Sequence, residues 1–539
     1  MKAKRLLAVL MCCLTVCTMV ACGNNRGDDE DPIDPTKTQL YVSNYDGGFG
    51  DEWLRQTADR FEELHKDDKL EEGKTGIQIR IVNHKKQGDQ ILREMITTTN
   101  EIFFCEGLPY RDGALQNYFL DITEAVAEPL TEYGEQGSIE DKMTTQQQNW
   151  FKVNGSYYAI PHYEGYYGMF YDVDTFDERN LFMTDSGTFT NYSGRGKGAD
   201  GVAGTYDDGL PANITQFFKL LDEMKRQGLS PIGWPGNYPR YMSDMMVNYS
   251  AAYEGYDQTM LNYTFNGTAE NLITLNGNTV VADEKDLEIN NSNGYELQRQ
   301  AGKYYALKFA ERIIDGNYWF SGSFNNSQTH KDSQDAFLIG AFDKTQKEIG
   351  ILIDGTWWEN EASETFAAMA KRYPGSGKGE RRFGIMPFPM PDGEESRSQT
   401  AAVVDHLAST AFINKNIADY KKEVAIDFIR FTATDASLIE FTQMTSTPKA
   451  LQYELTNTQL SELTYLGQQV WNFKKDSQVV YKFSDTPLYY LNMSHFTDNN
   501  WESGTQTIPS QALEEGMSAE EYFKGMYGTS KTGWSNLIK

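Results

Sequence analysis

Aromatic and acidic side chains are the residues of this sequence whose chemistry is most suggestive. The chain of 539 residues holds 32 Tyr, 29 Phe and 9 Trp, many of them beside Gly, Pro, Asn or Asp. An aromatic ring can stack on the C–H face of a pyranose, while nearby carboxylates and amides bind the hydroxyl groups. Trp357 and Trp358, close after Asp354, are the strongest instance. Ordinary core packing is the competing explanation for most of these rings.

Patterns typical of other site chemistry are few. The six histidines show no metal-ligand spacing, and the sequence has no nucleophile elbow, HExxH motif or cysteine-rich metal pattern. One glycine-rich loop at 198–209 contains Asp200, Asp207 and Asp208. Calcium favours several oxygen ligands on a flexible backbone, so these aspartates are candidate calcium ligands, although an EF-hand Glu is missing. An acidic surface turn is the alternative, and no other cofactor is expected.

The elements that position these residues begin with a strand–helix–strand–helix–strand pattern. Strands are predicted at 39–43, 77–82 and 102–105, with helices at 51–66 and 90–98. This order predicts a parallel sheet with right-handed crossovers. Ligands bind beyond the carboxyl ends of such strands, and the glycines of the loop after the first strand allow close backbone approach.

Further elements follow along the chain. Asn154-Gly155 lies between two alternating runs and predicts a hairpin. Asn213 with Gln216 is a capping-box variant and predicts the start of a helix. The remaining predicted helices lie at 213–228, 304–315, 421–432 and 437–444, and the strands at 349–353, 383–388 and 408–413.

The N-terminus carries secretion signals. Basic residues precede the apolar run 6–20, which is shorter than the ~20 residues of a membrane-spanning helix and is typical of a signal peptide over 1–21. Met19-Val20-Ala21-Cys22 resembles a lipobox, so Cys22 is the predicted lipidation site. Residues 22–37 are acidic, without apolar periodicity, and predict a disordered tether. A lipid-modified residue with two or more acyl chains is sufficient for stable membrane anchoring.

Composition excludes some functions. The formal net charge is −28, and removal of Lys2, Lys4 and Arg5 with the signal gives −28 − 3 = −31. Nucleic-acid binding is therefore not expected. Of the five cysteines only Cys105 lies beyond the signal and the lipobox, so no disulfide is expected in the mature monomer, and Cys105 itself is predicted to be a buried strand thiol.

An ordered set of weak motifs resembles the extracellular solute-binding proteins of ABC importers, in the family that includes maltose-binding protein. The likeness covers most of the mature chain. Its motifs are the lipobox, the loop 46–50, the segment 155–172 with Ala159-Ile160-Pro161 and Tyr171-Asp172, the segment 354–358, the segment 383–389, and the helix 425–431 followed by Thr447-Pro448.

The resemblance implies a two-lobed α/β fold of the periplasmic-binding-protein type (type II-like), with a mainly parallel sheet in each lobe and the ligand in a cleft between them. One lobe is expected at 38–155 with 406–450, and the other at 156–405 with 451–539. The stretches 184–210 and 263–293 look like insertions, because the chain is longer than typical members. The resemblance also implies a monomer that captures a sugar by cleft closure and delivers it to a membrane permease.

Candidate ligand contacts are aromatic and acidic residues near the expected lobe crossings and strand ends. Trp357 or Trp358 is the expected stacking platform, and only one of them should face the ligand because adjacent strand residues point to opposite faces. Asp354 and Asp405 could accept sugar hydroxyl hydrogens, with helix capping as the alternative. The other candidates, for which packing is equally plausible, are Asp46, Phe49, Glu106, Glu164, Tyr166, Tyr167 and Trp234.

Two alternatives remain beside a sugar receptor that is not an enzyme. A secreted glycoside hydrolase would use two carboxylates ~5–10 Å apart, a distance that a sequence does not give. A receptor of the same fold could instead bind a peptide or another solute. The abundant loop aromatics favour a sugar.

Overall fold

The structure is a computed structural model, and it describes residues 32–191, 193–343, 345–393, 401–482 and 508–537. The predicted signal peptide, Cys22 and most of the predicted tether lie outside the described residues. Within the described part of the chain, no helix combines the length and the apolarity that a membrane crossing would need.

Strands run through both halves of the chain. In chain order they are β1 Thr38–Tyr45, β2 Ile77–His84, β3 Ile102–Cys105, β4 Lys152–Val153, β5 Ser156–Tyr157, β6 Ala159–Pro161, β7 Tyr167–Asp172, β8 Phe182–Met183, β9 Phe189–Thr190, β10 Ser230–Gly233, β11 Gly267–Ala269, β12 Ile273–Asn276, β13 Thr279–Ala282, β14 Leu287–Ile289, β15 Ile349–Gly355, β16 Phe383–Met386, β17 Ala401–Asp405, β18 Thr410–Ile413 and β19 Ser477–Tyr481.

Helices separate most of these strands. They are α1 Glu52–Leu64, α2 Gly88–Glu94, α3 Tyr110–Leu115, α4 Thr123–Ala127, α5 Thr145–Phe151, α6 Val173–Arg179, α7 Ile214–Arg226, α8 Arg240–Glu254, α9 Tyr256–Thr264, α10 Ala301–Asp315, α11 His330–Gly340, α12 Trp358–Glu361, α13 Ser363–Arg372, α14 Asp419–Thr432, α15 Asp435–Thr445, α16 Asn457–Glu462, α17 Tyr465–Lys475, α18 Pro509–Glu514 and α19 Ala519–Leu537, with short 3₁₀ turns at Thr131–Tyr133, Glu140–Lys142 and Gly294–Arg299.

The chain divides into two compact units. The first unit takes the chain up to Glu164 together with Leu407–Leu460, and the second takes Gly165–His406 together with the chain from Ser461 onward. Each unit is therefore assembled from two separated stretches of sequence.

The first unit is built on a five-stranded sheet of order β2-β1-β3-β18-β6. β1 is parallel to β2 and β3, as the strand–helix alternation predicts, whereas β18 is antiparallel to both β3 and β6. The helix α1 covers this sheet with Trp53, Leu54 and Phe61, which are all buried. Their spacing of i, i+1 and i+8 places them on one side of a helix, and this apolar stripe is what fixes α1 on the sheet.

The second unit is built on a four-stranded sheet of order β10-β15-β7-β16. β15 is parallel to β10 and antiparallel to β7, and β7 is also antiparallel to β16. Both sheets are thus mixed rather than mainly parallel, which corrects the expectation. Parallel neighbours need a crossover connection, usually a helix. β6, β7 and β18 lie instead where the chain passes from one unit to the other.

The stretch 263–293, expected to be an insertion, forms two small two-stranded sheets in the second unit. β11 pairs with β14 and β12 pairs with β13, all antiparallel. A separate apolar core beneath them includes Phe265, Leu272 and Ile289, and Trp534 of α19 closes it. The C-terminal helix is therefore part of the same small core.

Two local sequence patterns, a turn and a helix cap, predict the backbone conformation correctly. The hairpin β4–β5 has φ values of 53° at Asn154 and 90° at Gly155, the pair of positive angles that a type I′ turn requires. The Asn213 side chain accepts a hydrogen bond from the Gln216 N–H at 3.0 Å and starts α7. The predicted hairpin and the predicted helix start are both confirmed.

Candidate functional site

Two of the predicted site residues meet at the end of β15 in the second unit. β15 ends at Gly355, which is opposite Tyr167 of β7 in the sheet register. The chain then turns through Trp357 into α12. As a result the Tyr167 and Trp357 rings lie edge to face, with centroids 5.1 Å apart and planes at 78°. Trp357 is 6% exposed and Tyr167 is half-buried.

Trp358, the other candidate platform, packs into the core of the second unit. Its ring is fully buried among Phe170, Phe337, Phe366 and Phe383. Neither tryptophan lies in the strand, because β15 stops at Gly355 and α12 begins at Trp358. The two rings therefore diverge because of helical geometry and not because of strand alternation. Of the two, Trp357 stays the candidate platform.

Tyr166 and Trp234 are also enclosed. Tyr166 is fully buried in the same core as Trp358. Trp234 is fully buried, lies edge to face on Phe324 at 5.2 Å, and its backbone N–H donates to the Ser323 hydroxyl at 3.0 Å. Packing accounts for both positions.

Two tyrosines that the sequence reasoning missed extend the aromatic group. Tyr241, in the first turn of α8, lies edge to face with Tyr167 at 5.0 Å. Tyr238 stacks against Tyr241 at 6.1 Å and is 47% exposed. Both belong to the run 238–241, directly after the Gly233–Asn237 turn residues. The sequence signal that could have indicated them is the segment Tyr238-Pro239-Arg240-Tyr241, which directly follows a run of turn residues.

A pair of carboxyl groups lies beside this aromatic group. The Gln334 amide Nε2 donates to Asp354 Oδ2 at 3.1 Å and to Glu361 Oε2 at 2.8 Å. Asp354 is fully buried, and its Oδ1 accepts from the Gly355 N–H at 2.7 Å. Burial, and then the Glu361 charge, raise the pKa of Asp354 well above its usual range. Burial, and then Asp354, likewise raise the pKa of Tyr241.

Asp405 and His406 also lie near Tyr167. Asp405 Oδ1 accepts from the Gly165 N–H at 3.0 Å, and the carboxylate is buried, so Asp405 holds the start of the segment that carries Tyr167. The His406 ring lies edge to face with Tyr167 at 5.0 Å, and its Nδ1 is 3.5 Å from Asp244 Oδ1.

In the first unit, Phe49 and Glu106 meet around a residue that the prediction did not select. The Tyr163 ring lies 4.6 Å from the Phe49 ring, and the Tyr163 hydroxyl donates to Glu106 Oε1 at 2.7 Å. Phe49 and Glu106 are half-buried, whereas Tyr163 is buried. Burial, and then Glu106, raise the pKa of Tyr163 well above its usual range. These side chains form an aromatic and acidic group at the carboxyl ends of β1 and β3.

The other two predicted contacts of the first unit flank this group. Asp46 is half-buried, and its N–H donates to the His84 carbonyl at 2.8 Å. Glu164 is fully buried. Close by, His162 Nδ1 lies 2.7 Å from Lys449 Nζ, and burial lowers the pKa of both groups well below their usual range.

The acidic loop is held by its own aspartates. Asp207 Oδ2 accepts from the Ala199 and Asp200 N–H groups at 2.7 and 3.0 Å, and Asp208 Oδ2 accepts from Gly204 N–H at 2.7 Å. Asp200 Oδ1 accepts from Val202 N–H at 2.7 Å. Across the described residues, no group of three or more His, Cys, Asp or Glu side chains could hold a metal ion. Backbone N–H groups occupy carboxylate oxygens that calcium would need, which favours the acidic turn over the calcium site.

Cys105 is the buried strand thiol that the sequence predicts. It lies in β3 with its side chain fully buried. Burial raises its pKa to about 12, so the thiolate that reactions require is scarce at neutral pH.

Comparisons with solved structures identify the fold. The chain is similar to BlMnBP1, a binding protein of an ABC transporter from Bifidobacterium animalis subsp. lactis in complex with mannobiose, with a TM-score of 0.56 and 14% identity over 93% of this chain and 95% of that one. It is similar to RafE in complex with raffinose, with a TM-score of 0.54 and 12% identity over 93% and 100%. The chain is also similar to a chitin oligosaccharide binding protein, with a TM-score of 0.53 and 15% identity over 90% of this chain and 95% of that one.

The sequence alone gives no such match. No protein-family model matches the chain, and no curated protein matches it. The similarity is therefore one of fold, and it extends over nearly the full length of both compared chains. The chain has the mixed α/β fold of the solute-binding proteins, as the resemblance predicts.

Proposed function

We propose that this protein is the sugar- or oligosaccharide-binding receptor of an ABC importer. The observation that carries this proposal is the likeness of fold over 90% or more of the chain to proteins that bind chitin oligosaccharide, raffinose and mannobiose. The group of Tyr167, Trp357 and Tyr241 beside two carboxyl groups supports it. Rings stack on sugar C–H faces, and carboxylates accept hydroxyl hydrogen bonds.

The receptor is proposed to work outside the cytoplasm as a lipoprotein. The signal peptide over 1–21, the lipobox ending at Cys22 and the acidic segment that follows support a lipid-anchored position on the outer face of the membrane. A permease in the same membrane would then take up the bound sugar.

Binding without hydrolysis is the second part of the proposal. A glycoside hydrolase needs two carboxyl groups that both reach the glycosidic bond. In the Asp354–Glu361 pair, Asp354 is fully buried and accepts hydrogen bonds from Gln334 and Gly355. These hydrogen bonds hold the pair in place, which favours a role in ligand binding over roles as catalytic acid and nucleophile. A peptide receptor of the same fold is the other alternative.

The test is a thermal-shift screen of the full chain, purified in detergent, against neutral mono- and oligosaccharides of glucose, galactose, mannose, xylose and N-acetylglucosamine. A ligand that binds only the folded state stabilises it by about 2.7 kcal/mol at 100 times Kd, which is a shift of several degrees. We expect one sugar class to give that shift with no product by chromatography. Product formation would identify a hydrolase. A flat response to every sugar, with a shift for a peptide mixture, would identify a peptide receptor.

A further inference from the structure

A cavity in the second unit takes no lining residue from the group of Tyr167, Trp357 and Tyr241. Its volume is about 590 Å³, within the range of ~300–1,000 Å³ that is typical of small-molecule sites. Its walls come from α7, α8 and α10 and from Pro391-Asp392, which follows β16. The cavity is therefore a candidate site for a second ligand.

Four aromatic rings form one wall of this cavity, which we call the aromatic floor. Tyr249 stacks on Phe309 at 5.0 Å with planes at 25°. Phe309 and Tyr318 each lie against Phe218, at 6.0 and 5.6 Å. The Tyr318 hydroxyl donates to Asp222 at 2.6 Å, and that of Tyr249 donates to a backbone carbonyl at 2.9 Å. The aromatic floor therefore suits an apolar or aromatic group of a ligand.

One face of α10 brings charged side chains to the same cavity. The lining residues of this helix include Lys308, Phe309, Arg312 and Asp315. Their spacing of three and four residues places them on one side of the helix. Arg312 and Asp315 are both exposed, so a ligand can reach their charges from solvent.

Three of the lining charges are engaged within the protein. Lys308 pairs with Glu311 and, at 3.1 Å, with Glu520. Asp392 accepts hydrogen bonds from the Thr215 N–H at 3.1 Å and from the Thr215 hydroxyl at 2.6 Å, in the first turn of α7. Lys308, Glu311 and Asp392 thus have structural partners before any ligand binds.

Arg312 and Asp315 are the two other charged residues of the lining. The Arg312 Cζ lies 3.8 Å from the centroid of the Phe218 ring, and this cation–π contact holds the guanidinium against the aromatic floor. Within the described part of the chain, the guanidinium donates no hydrogen bond and the Asp315 carboxylate has no ion-pair partner. At a spacing of three residues their Cβ atoms are about 5–6 Å apart. The cavity therefore presents one available charge of each sign.

We propose that this cavity binds a free α-amino acid with an apolar or aromatic side chain. The ligand carboxylate pairs with the Arg312 guanidinium, whose planar set of donors matches a carboxylate. The ligand ammonium group pairs with Asp315. Both ligand charges are attached to the same carbon atom, so one amino acid spans two side chains that are one helical turn apart. The ligand side chain packs on the aromatic floor. This inference goes beyond the proposed function, because it gives the receptor a second ligand in a separate cavity.

Calorimetry on the full chain in detergent tests the inference with three probes that share a phenyl ring. L-phenylalanine carries both charges, 3-phenylpropionate carries only the carboxylate, and 2-phenylethylamine carries only the ammonium group. The proteins are the wild type, Arg312→Gln, Asp315→Asn, and Arg226→Gln as a matched control. Arg226 lies on α7, its side chain is 71% exposed, and it pairs with Glu223 outside the cavity lining.

We expect the wild type and Arg226→Gln to bind L-phenylalanine tighter than either single-charge probe by about 10-fold or more, because each probe lacks one charge-assisted hydrogen bond. Arg312→Gln should weaken both L-phenylalanine and 3-phenylpropionate by about 10-fold. Asp315→Asn should weaken L-phenylalanine by about 10-fold and leave 3-phenylpropionate no weaker. Both side chains are exposed, so the variants should melt close to the wild-type temperature.

Three outcomes overturn the inference: no binding of L-phenylalanine by the wild type, equal affinity for L-phenylalanine and 3-phenylpropionate, or an L-phenylalanine affinity that neither Arg312→Gln nor Asp315→Asn changes. The proposed function is tested separately, because the best sugar should bind all four proteins equally. Weaker sugar binding by Arg312→Gln would assign the cavity to the sugar site and would also overturn the inference. If no sugar binds any of the proteins, the proposed function fails and the amino-acid site is still decided by the three probes.

Discussion

At the scale of single residues, the two adjacent tryptophans have different surroundings. Trp357 lies against Tyr167 with a small exposed surface, and Trp358 is fully enclosed by phenylalanines of the second unit. A ring that stacks on a sugar contributes to affinity, and a ring that fills a core contributes to folding. The two positions can therefore be separated by two measurements on two variants.

The first prediction concerns this pair. Trp357→Ala should weaken binding of the best sugar at least 10-fold by calorimetry, and because its ring is only 6% exposed it should also lower the unfolding free energy, though by less than Trp358→Ala does. Trp358→Ala leaves a large cavity and should lower it by about 3–5 kcal/mol, measured by urea unfolding. A sugar affinity that Trp357→Ala leaves unchanged would remove this residue from the proposed site.

The sequence was informative about residue type and less so about neighbours. Trp357 follows a predicted strand end, and Tyr167 lies in the segment expected to cross between the lobes, so the sequence alone indicates both. Tyr163 and Tyr241 were missed, because no spacing rule relates a residue at 241 to one at 167. Their proximity depends on how α8 packs beside β7, and such packing is a tertiary property. The site roles of all these residues stay predictions.

At the scale of elements, loops and caps hold the proposed site. The loop before α8 carries Tyr238 and leads into the first turn of the helix, which carries Tyr241, and Gly236 lets this loop pass close to another loop. A Cβ at Gly236 would lie 2.3 Å from the Asn325 carbonyl oxygen and 2.4 Å from that of Gly322. Both atoms are backbone, so the loop itself would have to move.

The second prediction follows from that contact. Gly236→Ala should destabilise the protein by about 1–3 kcal/mol and weaken sugar binding, because Tyr238 and Tyr241 move with the loop. Gly528→Ala is the matched control. Gly528 lies in α19, and a Cβ added there would have nothing within 4 Å among the described residues, so alanine should stabilise that helix by up to about 1 kcal/mol. Equal stability of Gly236→Ala and the wild type would contradict the argument.

The third prediction concerns the cap of α6. Asp172 Oδ1 accepts from the Thr175 N–H at 3.0 Å, and its other oxygen pairs with Arg381. Burial raises its pKa to about 6, against an opposing effect of Arg381. A raised pKa means that the folded state holds the proton more tightly. The stability that this group contributes is therefore complete below pH ~3.8 and is lost as the pH rises through about 6.

Asp172→Asn keeps an oxygen for the cap but does not titrate. The melting temperature of the variant relative to the wild type should therefore rise between pH 4 and pH 7, and differential scanning calorimetry at four pH values measures it. Asp174→Asn, at the more exposed neighbouring carboxylate, is the control. A difference that stays constant with pH would show that Asp172 ionises as an ordinary aspartate.

Elements were predicted best where one face is apolar and the ends carry clear signals. β3 and the start of β15 were placed to the residue, and α1 within two residues. The helix predicted at 90–98 ends instead at Glu94, and Ile96, which lies within the predicted range, is 71% exposed. The run Thr97-Thr98-Thr99 is β-branched and unfavourable in a helix, which explains the early end. The direction of β18 and β6 could not be predicted, because their pairing joins residues hundreds of positions apart.

At the scale of the whole molecule, the proposed function depends on where the protein is held. The fourth prediction is that Cys22→Ala releases the protein from the membrane. An acylated cysteine anchors the chain through its lipid chains, which the variant cannot carry. Fractionation and immunoblotting should place the wild type in the membrane and the variant in the soluble extracytoplasmic fraction. Wild-type protein found only in the soluble fraction would show that Cys22 carries no lipid.

The position of β18 inside the first sheet, between β3 and β6, has a consequence for the order of synthesis. β18 bridges β3 and β6, and Cys105 meets Thr410 across 305 positions of sequence. At about 5–20 residues per second, a ribosome needs about 15–60 s to cover that interval. Throughout it, β3 lacks a neighbour on one side and the first unit stays incomplete. The order of the strands thus delays folding of the first unit until most of the polypeptide has been made. This delay leaves time for a secretion channel to translocate the chain while it is still unfolded.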